Sequence, residues 1–245
     1  MTKLYNKNKL LFALLWIIIY ITGTIVFNNI ADLLNLTNFF TLLFYLFISI
    51  ILLFWIFKNK LNSEFGLIKS PFNAKYFLYF IPLAILVSTN FWFGFKLEYD
   101  FTETLIFVIS MLCVGFLEEI IFRGFLFNAM RKDNLKCAII VGSLTFGFGH
   151  IINLFTGNAD ILSTILQICY ATTTGFLFII IFLKGKTLLP CIITHSLFNS
   201  LSVFSVSVSK TINITTAVVI IILTLSYSLF LIKALPKQEQ IINKE

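Results

Sequence analysis

The sequence predicts an all-α polytopic membrane protein with about eight transmembrane helices and a polar cavity inside the membrane. Three observations support this prediction. The mean hydropathy is +0.97 and 59% of the 245 residues are hydrophobic, which is more apolar surface than a soluble domain of this size could cover. The apolar residues fall into eight segments of roughly 20 residues, the length that spans a bilayer. A few ionisable residues interrupt these segments and would line the cavity.

The eight apolar segments follow one another with polar loops between them. The first comes after three lysines and has no small-residue cleavage site behind it, so we interpret it as a membrane helix rather than a signal peptide. The fourth is longer than a span needs, and we expect it to tilt or to extend past the membrane. The predicted segments are 10–27, 39–57, 76–94, 104–130, 137–155, 161–183, 187–206 and 213–232.

Basic residues concentrate in every second loop, and this pattern predicts the orientation of the chain. The alternate loops carry Lys96 and Lys210 together with five acidic residues. The positive-inside rule therefore places both termini in the cytoplasm, in a multi-pass protein of the plasma membrane. Because the basic residues recur between apolar segments and do not form one patch, they argue against a nucleic-acid partner, although the net charge is +7. Fifteen basic residues fall on the predicted cytoplasmic side: Lys3, Lys7, Lys9, Lys58, Lys60, Lys69, Lys75, Arg131, Lys132, Lys136, Lys184, Lys186, Lys233, Lys237 and Lys244.

Composition gives two further indications. Phe, Ile, Asn and Lys are frequent, which is typical of an AT-rich genome and indicates a bacterial source. The four cysteines lie within or at the edge of apolar segments and form no CxxC pair. We therefore interpret them as buried, inert thiols rather than as a disulfide framework or a metal site.

Ionisable residues deep in the apolar segments mark the candidate site. Each charged group at the centre of a bilayer costs roughly 2.5–3.5 kcal/mol on insertion scales, so it usually faces a cavity, a partner or a substrate. Helical rise places the acids of the fourth segment, the histidine of the fifth and the polar pair of the seventh at a similar depth. This convergence predicts one buried site. Its residues are Glu118, Glu119, Arg123, His150, His195 and, one helical turn later, Asn199.

Structural roles compete with functional ones for each of these residues. Glu119 and Arg123 have the i,i+4 spacing of a favourable intrahelical ion pair, and we predict that they support the site rather than react. Glu118 could be a carboxyl kept protonated by burial. The histidines and Asn199 could be hydrogen-bond partners between helices. Their common depth favours a functional site.

The remaining residue types narrow the chemistry. The chain has no GxSxG elbow, no HExxH pair, no P-loop, no dinucleotide fingerprint and no aspartate deep in a span. What remains is a carboxylate with imidazoles and an amide. Glu118 can take a proton from water, while the histidines and Asn199 can orient that water, ligate a metal or donate hydrogen bonds to an oxyanion. These groups are those of a hydrolase.

Three motifs resemble a known family. The chain contains EExxxR at residues 118–123, FxxxH at 146–150 and HxxxN at 195–199, in three separate spans. Their order and spacing resemble the CPBP intramembrane proteases, also called the Abi or CAAX prenyl protease 2-like family. The resemblance divides the chain into three spans without motifs (1–103), a protease-like catalytic core (104–206) and a last helix with a cytoplasmic tail (207–245).

The resemblance implies peptide-bond hydrolysis in a cavity open to the membrane and the cytoplasm. Position by position, Glu118 and His150 would activate the water, and His195 and Asn199 would stabilise the oxyanion. The substrate would be a membrane-embedded or membrane-associated peptide, as in bacteriocin or pheromone maturation, immunity or CAAX-type processing. Glu118, His150 and His195 could instead ligate Zn²⁺, which favours three protein ligands and a water. We favour the metal-free alternative and commit to no cofactor.

Two other classes of function use the same cavity. The chain could be a non-catalytic immunity or binding protein, or a proton-coupled transporter with Glu118 as the proton carrier. Transport is disfavoured because the chain shows neither an inverted repeat nor paired broken helices. Detection of a cleaved peptide would separate catalysis from both alternatives.

Overall fold

The computed structural model describes residues 1–34, 39–155 and 160–235, and regular structure within these ranges is entirely helical. Lys237 and Lys244 of the predicted cytoplasmic tail lie outside them. The α-helices are α1 Thr2–Lys7, α2 Lys9–Leu33, α3 Phe39–Lys58, α4 Ile81–Ser88, α5 Phe101–Glu118, α6 Asn128–Met130, α7 Leu135–Gly149, α8 Ile152–Phe155, α9 Ile161–Gly185, α10 Leu189–Leu201 and α11 Lys210–Ala234. Three 3₁₀ segments, Ala74–Phe80, Thr89–Phe91 and Ser202–Phe204, and a π-helical segment, Glu119–Phe127, join them.

Seven stretches of the described chain are long and apolar enough to cross a membrane, which confirms the multi-pass all-α class. The seventh predicted segment, 187–206, is present as the shorter apolar helix Leu189–Phe204, which would extend about 24 Å at 1.5 Å per residue. Pro190 in its first turn fixes where this helix begins. The seven longer stretches are Lys9–Ala31, Phe39–Lys58, Ala74–Phe91, Phe101–Met130, Leu135–Leu154, Ile161–Gly185 and Lys210–Ala234.

The third span differs from the single regular helix expected over 76–94. Its 3₁₀ start runs into Leu78, Tyr79 and Phe80, which have φ of 48°, 52° and 61°. Such left-handed backbone is rare for residues with a side chain. Regular helix begins only at Ile81, with Pro82 in its first turn. The third span is therefore broken, and apolar composition alone does not reveal the break.

The fourth span is long, as predicted, and changes helix type in the middle. Its N-cap is Asp100, whose side chain accepts a hydrogen bond of 2.8 Å from the Glu103 amide. The span consists of α5, the π-helical segment Glu119–Phe127 and α6, which follow one another without a break from Phe101 to Met130. Every residue of the π-helical segment is buried. Such π segments are frequent at functional sites, and this one contains Glu119 and Arg123.

The loops gather at two opposite ends of the bundle. At one end Lys9 pairs with Glu64, and the Leu188 amide donates to the Gly66 carbonyl at 2.8 Å. Burial raises the pKa of Glu64, but hydrogen bonds from Lys9 and Tyr5 outweigh this effect and leave the pKa below its usual value. At the other end the Lys96 amide donates to the Phe204 carbonyl at 3.0 Å. Loops that the sequence predicts on the same side of the membrane therefore contact each other. Which of the two ends faces the cytoplasm stays a prediction.

One close crossing sets the position of the candidate site. α5 and α10 pack against each other where Gly115 meets Ser196, and a Cβ at Gly115 would lie 2.4 Å from the Ser196 Oγ. The Ser196 hydroxyl also donates to the Leu112 carbonyl at 3.0 Å. Because glycine lets the two backbones approach, residues just after Gly115 lie beside residues just before Ser196. These residues are the two glutamates and His195.

Candidate active site

The two adjacent glutamates have different surroundings. Glu118 ends α5, its side chain is 16% exposed, and its Oε1 accepts a hydrogen bond of 2.8 Å from the Tyr20 hydroxyl. Glu119 begins the π-helical segment and is fully buried. Its Oε1 accepts from Arg123 Nη1 at 3.1 Å, so the predicted i,i+4 pair is confirmed. Consecutive helical residues point in different directions, which leaves Glu118 facing a cavity and Glu119 facing the core.

His195 lies between the two carboxylates. Its Nδ1 is 2.8 Å from Glu119 Oε1 and its Nε2 is 3.7 Å from Glu118 Oε2. The ring is 7% exposed on the buried face of α10. The Glu119 contact fixes the orientation of the imidazole, as carboxylates do for histidines in many enzyme sites. The other nitrogen is thereby presented to Glu118.

His150 lies in the turn that follows α7, rather than inside the helix predicted over 137–155. α7 ends at Gly149, and His150 is its C-terminal capping residue. The ring Nδ1 is 3.2 Å from the Gln167 amide nitrogen, and Gln167 Oε1 accepts a hydrogen bond of 2.9 Å from Asn153. His150 in the turn and Asn153 in α8 are therefore both tied to Gln167 of α9, and the imidazole of His150 is held in place.

Two adjoining cavities bring the predicted residues together. The first, which we call the acid cavity, has a volume of about 620 Å³ and is lined in part by Tyr20 and Glu118. The second, the imidazole cavity, is about 50 Å³ and is lined in part by His195. His150 and Asn199 line both cavities. All four predicted catalytic residues therefore border a pair of cavities that share part of their walls.

Arg123 supports the site from the buried side. Its guanidinium carbon lies 3.8 Å from the centroid of the Phe146 ring, and the Phe146 ring contacts both His150 and His195 edge-on. Arg123 is fully buried. In a site without bulk water, the aromatic face and Glu119 together stabilise its charge. The motif residue Phe146 thus joins the charged pair to the two imidazoles.

A glycine on α9 leaves room for this arginine, and its replacement tests the packing. A Cβ at Gly175 would lie 3.2 Å from Arg123 Nη2 and 3.3 Å from Phe146 Cδ1. We expect Gly175→Ala to lower the free energy of unfolding by about 1–3 kcal/mol, as overpacking does. Thermal denaturation in detergent measures the change.

Gly149 is the matched control for this substitution, because a Cβ there meets nothing within 4 Å. Gly149→Ala should leave the melting temperature unchanged or raise it. Equal melting temperatures for the two variants would contradict the claim that Gly175 is required by Arg123.

A metal centre does not emerge from these residues. Among the residues that the structure describes, no group of three or more His, Cys, Asp or Glu side chains is arranged to hold a metal ion. The set considered from the sequence, Glu118, His150 and His195, is therefore not assembled as the three-ligand site that catalytic zinc requires.

Two polar residues of the site were missed by reasoning from the sequence. Tyr20 hydrogen-bonds Glu118 from the first span, and Gln167 contacts His150 from the sixth. Both are neutral at pH 7, whereas the predicted site was built mainly on acidic, basic and imidazole side chains. The signal that was available is a single glutamine in the otherwise amide-free segment 161–183. Nothing local distinguishes Tyr20 from the other tyrosines.

Comparison with known proteins gives one match. A family model described as "Type II CAAX prenyl endopeptidase Rce1-like" matches residues 100–201, under half of the chain. The curated proteins and the solved structures gave no match. The matched segment contains all three motifs and every site residue except Tyr20. Residues 100–201 are therefore similar to the Rce1-like group of the CPBP/CAAX protease family, which confirms the resemblance predicted from the three motifs; the general activity of that family is that of an intramembrane CAAX-type endopeptidase.

Proposed function

We propose that this protein is an intramembrane endopeptidase that hydrolyses a peptide bond in a membrane-associated peptide or protein, with water activated by Glu118. One observation carries the proposal. Glu118, His150, His195 and Asn199 come from three different spans and line two adjoining cavities, of which both contain His150 and Asn199 in their walls. A carboxylate, two imidazoles and an amide around two adjoining cavities can both activate a nucleophile and stabilise an oxyanion.

In the proposed first step Glu118 acts as general base. A water molecule in the acid cavity gives a proton to Glu118 Oε2 while its oxygen attacks the carbonyl carbon of the scissile peptide bond. His150, which lines the same cavity, orients this water. A positioned general base contributes about 10²–10⁴-fold to the rate. The carbon–nitrogen bond then breaks, and the proton held by Glu118 passes to the leaving amine.

His195 and Asn199 stabilise the oxyanion formed by this attack. They are one helical turn apart on α10, so their side chains leave the same face of the helix. Nδ1 of His195 lies 2.8 Å from Glu119 Oε1, and in its imidazolium form the ring would donate from Nδ1 to Glu119 and from Nε2 to the oxyanion. Arg123 in turn holds Glu119. No metal ion takes part in the proposed steps.

The acid cavity favours a substrate segment that is itself apolar. Its wall contains Ile21, Ile25 and Met111 beside Glu118, so a peptide that enters it exchanges lipid contacts for apolar side chains. Bacteriocin or pheromone maturation, immunity and CAAX-type processing each supply such membrane-associated peptides. The biological substrate is one of this class.

Purified protein in lipid vesicles tests the proposed function. Two peptide sets are supplied, one with a prenylated C-terminal CAAX sequence and one with an unprenylated apolar segment flanked by lysines. Mass spectrometry should find new peptide termini with the wild type and none with His150→Ala or His195→Ala. A peptide that binds but is never cut would replace the proposal by a binding function. Cleavage at the wild-type rate by both variants would refute the roles assigned to His150 and His195.

A further inference from the structure

Tyr20 connects the first span to the acidic residue of the site. It lies on α2, well outside the segment that matches the family, and its side chain is 8% exposed. Its hydroxyl donates to Glu118 Oε1 at 2.8 Å. Hydrogen bonds from a neutral donor to an ionised carboxylate are stronger than those between neutral groups. The contact therefore orients one particular oxygen of Glu118.

The Tyr20 ring is held in place independently of Glu118. Its centroid is 6.0 Å from that of Tyr45 on α3, with an angle of 35° between the rings. The Thr24 hydroxyl donates to the Tyr20 carbonyl at 2.8 Å, which fixes the backbone one turn away. A hydroxyl on a fixed ring can impose a rotamer on the more exposed carboxylate that it contacts.

The two oxygens of Glu118 consequently have different tasks. Oε1 is occupied by Tyr20, whereas Oε2 lies 3.7 Å from Nε2 of His195. Without the hydroxyl, the plane of the carboxylate could turn about the last side-chain bond, because terminal carboxylate torsions are broad, and the second oxygen would no longer point at His195. The hydrogen bond selects the orientation in which Oε2 points at the imidazole.

We infer that Tyr20 is a positioning residue, which holds Glu118 Oε1 so that Oε2 faces the reacting water. The inference rests on the proposed function. It assigns a role to the first span, which carries none of the three motifs. The hydroxyl gives up no proton during the reaction; it keeps the general base in the orientation that accepts one.

Replacing Tyr20 by phenylalanine tests this role in the full-length protein. Tyr20→Phe keeps the ring and removes the hydroxyl. We expect kcat to fall about 10-fold, the effect of losing one hydrogen bond to a charged group. KM should stay within about twofold, because Tyr20 acts on the general base and not on substrate binding. An unchanged kcat, whether or not KM rises, would overturn the inference.

Tyr227 supplies the matched control. Its hydroxyl donates to the Phe77 carbonyl at 2.7 Å and its side chain is 3% exposed, so Tyr227→Phe also removes one buried hydrogen bond. This variant should have a lower melting temperature than the wild type and an unchanged kcat. If Tyr227→Phe lowered kcat as much as Tyr20→Phe, the effect would be one of stability and the positioning role would be refuted.

A spectroscopic measurement separates this inference from the proposed function. The infrared bands of the Glu118 carboxylate are identified as those lost in Glu118→Gln. They should shift in Tyr20→Phe and stay in place in Tyr227→Phe, whether or not a substrate has been found. Unshifted bands would overturn the role of Tyr20. Failure of the wild type to cut any peptide, with shifted bands, would overturn the proposed function alone.

Discussion

Replacing Glu118 by glutamine is expected to lower the rate of peptide cleavage by about 10²–10⁴-fold, the loss that removal of a general base causes. The amide has nearly the shape of the carboxylate and its oxygen can still accept the hydrogen bond from Tyr20. It cannot, however, take a proton from water. Cleavage of a fluorogenic membrane peptide in vesicles measures the loss directly.

The fold should survive this substitution, which makes the result informative. Glu118 is partly exposed to the acid cavity, and the glutamine oxygen can keep the hydrogen bond from Tyr20. We therefore expect a melting temperature close to that of the wild type. A large drop in stability together with the loss of cleavage would point to a structural role instead.

Glu98 provides the matched control for the chemical change. Its side chain is 55% exposed and pairs with Lys96 in the segment between α4 and α5. Glu98→Gln removes the same negative charge and should leave cleavage unchanged, since exposed ion pairs contribute little. If Glu118→Gln cleaved as fast as Glu98→Gln, Glu118 would not be the base.

The membrane class was predictable because hydropathy is a local property. Each span is encoded within about 20 consecutive residues, and the long fourth span from Phe101 to Met130 has the length its sequence suggests. The same method overestimated the seventh segment, where α10 with its 3₁₀ extension is shorter than the other spans. It also overlooked the left-handed turn at Leu78, because a backbone reversal changes hydropathy very little.

The site was predictable only in its local part. The Glu119–Arg123 pair follows from helical spacing, and the structure has it at 3.1 Å. The contacts of Glu119 with His195 and of Tyr20 with Glu118 join residues 76 and 98 positions apart. No periodicity within one helix states which other helix packs against it. These contacts required the three-dimensional arrangement.

Replacing Arg123 by methionine is expected to give the largest loss of stability among the substitutions considered. Arg123 and Glu119 are both fully buried, and methionine fills much of the volume while removing the charge. The Glu119 carboxylate then loses its cationic partner. Breaking a buried pair in this way costs about 3–5 kcal/mol. Chemical denaturation in detergent should show a decrease of that size in the free energy of unfolding.

The pair between Lys9 and Glu64 is the control, because both side chains are 30% exposed. Lys9→Met should cost only about 0–1 kcal/mol, the range for ion pairs that water can reach. A decrease for Arg123→Met as small as that for Lys9→Met would contradict the view that Arg123 neutralises a buried charge.

The double variant Glu119→Leu with Arg123→Met separates stability from catalysis. Removing both charges leaves no buried carboxylate without its arginine, so the double variant should be more stable than Arg123→Met alone. The changes in the free energy of unfolding caused by the two single substitutions should therefore be far from additive. Cleavage should nevertheless stay low, because Nδ1 of His195 has then lost the Glu119 oxygen that orients the ring. Recovery of cleavage along with stability would mean that the pair only holds the fold together, and that the orientation of His195 does not depend on Glu119.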